Sequence, residues 1–205
     1  MTIRRIAVVT AGLSQPSSTR MLADRLAAAT VQSLREGGVT ARVEVVELRE
    51  HARALADNLV TGFPSGALRE AVDTVARADA VIAVTPVFAA SYSGLFKTFF
   101  DVLEEETLAG KPVLVGATAG TGRHSLVLEH AMRPLFSYLH AVVVPTAVFA
   151  AVEDWAGGDG TTGALGRRIG DAARQLADLV RARRPEPAAD PFPDPVPFEQ
   201  LLTGR

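Results

Sequence analysis

The fold of this chain is decided by residues 79–101, which read DAVIAVTPVFAASYSGLFKTFFD. Residues 80–84 form an unbroken apolar run rich in β-branched side chains, which is typical of a strand buried on both faces of a parallel sheet. Thr85-Pro86 predicts the end of this strand, because proline lacks the N–H that the ladder needs. Ser91 and Ser93 are suited to cap a helix that begins at about Gly94. The stretch therefore predicts a strand, a polar loop and a helix, and ligands of parallel sheets bind beyond such strand ends.

Working outward, strands and helices alternate along the chain. The predicted strands cover residues 3–10, 39–48, 80–84, 113–117 and 141–149, with Pro145 placing the last of them at an edge or a bulge. The predicted helices cover residues 18–36, 65–78, 94–106, 125–139 and 164–183, whereas 49–65 reads as an irregular connection. This alternation predicts a doubly wound, five-stranded parallel sheet of order 2-1-3-4-5.

Chain length and composition limit the class of protein. The 205 residues suit one domain, which we place at 1–184, followed by a proline-rich tail over 185–205 whose Phe192 and Phe198 either dock on the body or stay solvated. A formal charge of −2, from 21 basic and 23 acidic residues, predicts neither a nucleic-acid partner nor a membrane surface. No segment has the roughly 18 apolar residues that are needed to span a bilayer. The apolar run near the N-terminus is too short for the core of a signal peptide, so a cytoplasmic protein is expected.

Cysteine and histidine usage argues against a metal site. The chain has no cysteine, and its four histidines are scattered at positions 51, 124, 130 and 140. Thiolate ligation, a disulfide and a cysteine nucleophile are thereby excluded. We therefore expect no bound metal.

Three loops should meet at the carboxyl edge of the sheet, because strands one, three and four are neighbours in the predicted order. We call residues 11–20 loop A, residues 85–94 loop B and residues 118–124 loop C. Loop A places hydroxyl groups and one guanidinium at a helix N-terminus, which favours a phosphate monoester; its candidate residues are Ser14, Ser17, Ser18, Thr19 and Arg20. Ordinary N-capping by Ser17 or Ser18 explains the same hydroxyls equally well.

Loop B carries a resemblance to a known family. Thr85-Pro86, Ser91-x-Ser93-Gly94-x-x-Lys97 and Asp101 resemble the signature of the NADPH-dependent FMN reductases, a branch of the flavodoxin-like proteins. Loop C, Thr118-Ala119-Gly120-Thr121-Gly122-Arg123, is similar to a glycine-rich loop of that family in position and composition. The resemblance covers residues 3–183 and implies a flavodoxin-like fold.

The resemblance also implies which residues bind the cofactor. FMN and NAD(P)H are the expected ligands, with the backbone N–H groups of Val87 and Phe88 facing the flavin ring. Small residues of loop C let the backbone approach a flat ring, and glycine tolerates positive φ there. Arg123 is a candidate for a nucleotide phosphate, against the alternative of a solvent-facing charge. The implied residues of loops B and C are Thr85, Pro86, Val87, Phe88, Ser93, Gly94, Thr118, Ala119, Gly120, Gly122 and Arg123.

The implied activity is hydride transfer from NAD(P)H to FMN, with no catalytic side chain required. The resemblance further implies that reduced flavin is supplied to a flavin-dependent monooxygenase. Two alternatives stay open: an FMN-bound quinone or azo reductase, and a flavodoxin-like binding module without catalysis. The apolar face formed by Leu95, Phe96, Phe99, Phe100 and Leu103 is wide enough for both core and interface, so a homodimer or homotetramer is expected.

Overall fold

A parallel sheet runs through residues 3–155 and 163–183, the part of the chain that the computed structural model describes. Its strands are β1 (Arg4–Thr10), β2 (Ala41–Glu47), β3 (Ala80–Phe88), β4 (Ser91–Tyr92), β5 (Pro112–Ala119), β6 (Val142–Val143) and β7 (Val148–Ala151). They lie in the order β2-β1-β3-β5-β6, with β7 also paired to β5 and β4 paired to β3. Every pairing is parallel except that of β3 with β4. The doubly wound, flavodoxin-like arrangement is thus confirmed.

The strand count differs from the expected five, for two local reasons. The predicted fifth strand is divided around Pro145 into β6 and β7, which both pair with β5. Proline has no N–H to donate, so the ladder cannot run through it unbroken. The expectation that β3 ends at Thr85-Pro86 was wrong: Pro86 is still in register with Thr118, and the strand continues to Phe88 by pairing with β4.

The described residues form six α-helices, of which the first five connect strands and the last follows β7: α1 (Ser18–Glu36), α2 (Ala52–Thr61), α3 (Gly66–Ala76), α4 (Gly94–Asp101), α5 (Arg133–Tyr138) and α6 (Gly163–Ala182). Helix α1 has the expected bounds, because Ser17 caps its start and Gly38 (φ 75°) follows its end. Helix α2 was missed in the sequence. Its last turn carries Leu59 and Val60 on the solvent side, which removes the apolar period that marks a surface helix.

Two other predicted helices are shorter than expected. Helix α4 ends at Asp101 rather than at about residue 106. The stretch 125–139 contains a π-helical turn at Leu128–Met132 before α5 begins one residue ahead of Pro134. Proline is tolerated in the first turn of a helix, where its missing N–H has no intrahelical role.

The sheet separates two apolar cores, which is why its central strands carry apolar side chains on both faces. On one face, Leu22 and Leu26 of α1 and Leu176 of α6 pack against Val8 and Ile82. On the other face, α2 to α5 cover a second core built around four phenylalanines, Phe96, Phe99, Phe100 and Phe136. This layering leaves the carboxyl edge of the sheet for the loops.

The apolar face of α4 is committed to the core. Phe96 and Phe99 are fully buried and Phe100 is 2% exposed. The Phe100 ring lies 4.8 Å from that of Phe96 and 4.9 Å from that of Phe136, centroid to centroid. The expectation that this face also forms an interface was therefore wrong for the three phenylalanines, since at most 2% of the surface of each is exposed.

Within residues 3–155 and 163–183, no helix combines the length and the apolarity needed to cross a membrane. The division into a domain over 1–184 and a tail over 185–205 stays a prediction. The tail, with Phe192 and Phe198, lies outside the described residues.

Candidate functional site

Loops A, B and C lie together at the carboxyl edge of the sheet because β1, β3 and β5 are adjacent. The backbone N–H of Ala11 donates to the carbonyl oxygen of Val84 at 3.0 Å, which joins loop A to β3. The hydroxyl oxygens of Thr19 and Thr118 are 2.8 Å apart in a buried hydrogen bond that joins loops A and C. The structure therefore brings together the three segments that the sequence singled out.

Loop A ends in a capped helix start. The hydroxyl oxygen of Ser17 accepts a hydrogen bond from the backbone N–H of Arg20 at 3.2 Å, so Ser17 has the capping role that was weighed against phosphate binding. The hydroxyl of Thr19 is occupied by Thr118. Ser14 and Ser18 are exposed, and the first N–H groups of a helix have no partner inside it. Backbone donors with Ser14 and Ser18 are thus the groups that suit a phosphate.

Gly12 is a residue of loop A that the sequence reasoning missed. A Cβ atom at Gly12 would lie 2.1 Å from the hydroxyl oxygen of Ser17 and 3.2 Å from the Cβ of Thr19. Any larger residue would therefore displace the cap. A glycine two positions after a buried strand and shortly before a helix start is the sequence signal that could have indicated this contact.

Arg20 is held by two carboxylates. Its Nε donates to Oδ1 of Asp24 at 2.8 Å, and its Nη1 donates to Oε1 of Glu47. The hydrogen bond to Asp24 is the main cause that raises the pKa of Arg20 above its usual value, which burial alone would lower. Arg20 borders a cleft of about 530 Å³ beside loop A, shared with Ser14, Ser17, Glu47 and Arg49.

Loop B is a hairpin attached to α4 by two buried hydroxyls. The hydroxyl oxygen of Thr85 accepts from the backbone N–H of Ser93 at 3.0 Å, and that of Ser93 accepts from the N–H of Phe96 at 3.2 Å. Both residues are at most 2% exposed. Thr85 and Ser93 therefore position the loop, and Pro86 continues the strand above them. Gly94 opens α4 with free space around the position of a Cβ.

The tip of this hairpin has an unusual backbone. Ala89 and Ala90 both have positive φ, 46° and 65°, between the paired residues Phe88 and Ser91. Two such residues form the tight turn that normally requires asparagine and glycine. The closing pair of a two-residue hairpin exchanges both backbone hydrogen bonds, so the N–H of Phe88 is used within the hairpin. Because Pro86 has no N–H, its register with Thr118 directs the N–H of Val87 to the carbonyl oxygen of Thr118 in the sheet ladder. Both proposed backbone donors are therefore engaged within the sheet.

Loop C is anchored by hydrogen bonds of its own. Thr118 is buried against Thr19, and the N–H of Gly122 donates to Oε1 of Glu153 at 3.2 Å. Neither Gly120 nor Gly122 has a positive φ, so neither position requires the tolerance of glycine for that region. A Cβ at Gly120 would meet no atom within 4 Å, and Ala119 is half-buried at the end of β5. Gly120 thus leaves open space above the strand.

Arg123 of loop C lies beside the hairpin of loop B. It borders a cleft of about 420 Å³ together with Ala90 and Ser91 of the hairpin and with His124 and His130. The carboxyl edge thus offers two clefts, one at loop A that is bordered by charged side chains and one between loops B and C. An elongated ligand with a phosphate at one end and a flat ring at the other matches this division.

Comparison with known proteins agrees with this geometry. The family model described as NADPH-dependent FMN reductase matches residues 4–156. The "NADH-dependent FMN reductase SfnE" of Pseudomonas putida is 34% identical over 177 residues, covering 86% of this chain and 92% of the relative. "FMN reductase (NADPH)" of Pseudomonas aeruginosa is 35% identical over 179 residues, covering 87% of this chain and 94% of the relative.

A solved structure extends the likeness to three dimensions. The crystal structure of an oxidoreductase from Corynebacterium diphtheriae is 43% identical and superposes with a TM-score of 0.85, covering 90% of this chain and 100% of the other. The family model spans all three loops, from β1 to the turn after β7. The chain therefore belongs to the NADPH-dependent FMN reductase family.

Proposed function

We propose that this protein binds FMN along the carboxyl edge of its sheet, with the phosphate at loop A and the ring between loops B and C. Membership of the family makes it an oxidoreductase that uses FMN with NADH or NADPH. The observation that carries the placement is the buried Thr19–Thr118 hydrogen bond of 2.8 Å, which holds the phosphate loop against the ring loop. When bound, FMN supplies the ring that takes up the hydride of NAD(P)H.

The residues present fit such a ligand. Loop A offers the N–H groups at the start of α1, whose dipole favours an anion, and the exposed hydroxyls of Ser14 and Ser18. Between loops B and C, the open space above Gly120 and the half-exposed side chain of Phe88 suit a flat apolar ring. The ring would lie against fixed backbone, because Thr85, Ser93 and Thr118 are all buried beneath it.

The chain's part in the reaction is to bind and to orient. Thr85 and Ser93 fix the hairpin of loop B, which would lie beside the ring. No side chain in either cleft has to exchange a proton for hydride transfer, so none is assigned as catalytic.

An anaerobic absorbance titration tests the function directly. FMN is added to the purified protein, followed by NADPH and, separately, NADH. Bleaching of the flavin band at a catalytic rate is the expected result, and the two rates rank the nicotinamides. Binding without bleaching would instead support a non-catalytic module, and the absence of FMN binding would refute the three-loop site.

The electron acceptor is a separate part of the proposal. Supply of reduced flavin to a monooxygenase rests on the resemblance of the sequence to reductases that accompany such enzymes. Faster turnover with a quinone or an azo dye than with free FMN would support the alternative acceptor class. Coupled product formation with a two-component monooxygenase, at a rate set by the reductase, is the expected result.

A homo-oligomer is also proposed, although not through the phenylalanines of α4. Several large apolar side chains are exposed near the end of α2, namely Leu59, Val60 and Phe63. Such a patch supports association between copies. Light scattering at several protein concentrations is expected to give a mass of two or four chains, and a single-chain mass would refute it.

A further inference from the structure

One carboxylate at the end of β2 lies beside loop A. Glu47 is the last residue of β2 and is in register with Thr10, the last residue of β1. Its two oxygens accept from different arginines: Oε1 from Nη1 of Arg20, and Oε2 from Nε of Arg49 at 3.1 Å. A carboxylate that bridges two guanidinium groups therefore borders the cleft in which we place the flavin phosphate.

Asp24 adds a second negative charge to the same arginine. Its Oδ1 lies 2.8 Å from Nε of Arg20, one turn further along α1. Arg20 is thus paired on two sides before any ligand arrives. The side chains of Glu47 and Arg20 are 24% and 35% exposed, so solvent screens their interaction only in part.

We propose that Glu47 and Asp24 weaken the binding of a flavin phosphate at loop A by neutralising Arg20. This inference rests on the proposed function, because it concerns the same site. Arg20 is the cation of the first helical turn, where an unpaired guanidinium would attract a phosphate dianion most strongly. With the charge of Arg20 compensated, the phosphate would be held by the N–H and hydroxyl groups of loop A alone.

The test compares two ligands that differ only in the phosphate. Dissociation constants for FMN and for riboflavin are measured by fluorescence quenching with the wild type, Asp24→Asn and Glu47→Gln. Each substitution is expected to tighten FMN about two- to fivefold, the range of one partly exposed charge pair, and to leave riboflavin unchanged. The gain is expected to diminish as the salt concentration rises.

Two further variants make the test specific. In an Arg20→Gln background, Asp24→Asn is expected to lose most of its effect, because the carboxylate then has no arginine to neutralise. Asp73→Asn removes an equal charge from another i,i+4 pair, with Arg77 on α3, and is the matched control. Its effect on FMN binding should be negligible, because α3 ends at the opposite edge of the sheet, well beyond a Debye length of about 10 Å.

The outcomes separate this inference from the proposed function. If the wild type binds neither flavin, the three-loop site itself is refuted. If FMN binds but Asp24→Asn and Glu47→Gln leave its affinity unchanged or weaken it relative to riboflavin, the neutralising role is refuted. Since Glu47 also contacts Arg49, Asp24→Asn decides the matter if Glu47→Gln fails to fold.

Discussion

The hairpin tip of loop B stores backbone strain that one substitution should relieve. Ala90 has φ 65°, in the left-handed region, where a Cβ costs about 1–2 kcal/mol. Glycine removes that cost but adds about 0.4–1 kcal/mol of unfolded-state entropy to be lost on folding. Ala90→Gly is therefore expected to raise the free energy of unfolding by about 0.5–1 kcal/mol, or Tm by about 1–4 °C for a chain of this size.

The measurement is thermal unfolding followed by circular dichroism, with an Ala→Gly substitution elsewhere as the matched control. Ala28 is exposed in the middle of α1, so Ala28→Gly should lower the free energy of unfolding by about 1 kcal/mol. Ala89→Asn combined with Ala90→Gly should add further stability, because Asn-Gly is the preferred pair for this turn. If Ala90→Gly destabilises the protein as much as Ala28→Gly does, the reasoning from the positive φ is refuted.

Three further substitutions test the anchors of the site and the core. Gly12→Ala should displace the Ser17 cap, which is worth about 1 kcal/mol, and so lower Tm by about 2–4 °C and weaken FMN binding. An unchanged FMN affinity would contradict the loop A contact. Thr85→Val leaves the buried N–H of Ser93 without its acceptor and should cost about 1–3 kcal/mol in chemical denaturation, whereas Thr85→Ser should retain most of the stability. Phe100→Ala should lower the free energy of unfolding by about 3–5 kcal/mol, whereas Phe88→Ala, at a half-exposed position, should lower it by at most about 0.5 kcal/mol. Equal losses would show that the aromatic cluster is not the core of that layer.

The sequence alone determined the elements whose signals are local. The bounds of α1 follow from its capping serine and its terminal glycines, and the buried strands follow from their unbroken apolar runs. Their alternation was sufficient to predict the doubly wound sheet, and the loop B signature was sufficient for the family. These features depend on neighbours within a few residues, which a sequence displays directly.

Only the tertiary structure decided which residues distant in the sequence contact one another in loops A, B and C. The Thr19–Thr118 hydrogen bond joins positions 99 residues apart, and Glu47, one of the two partners of Arg20 on α1, comes from β2. The β3–β4 hairpin was missed because an Ala-Ala turn carries no asparagine or glycine to mark it, and its pairing compensates for the strain. Whether Phe100 faces a core or a partner likewise depends on Phe136, because burial is a property of the packed layers.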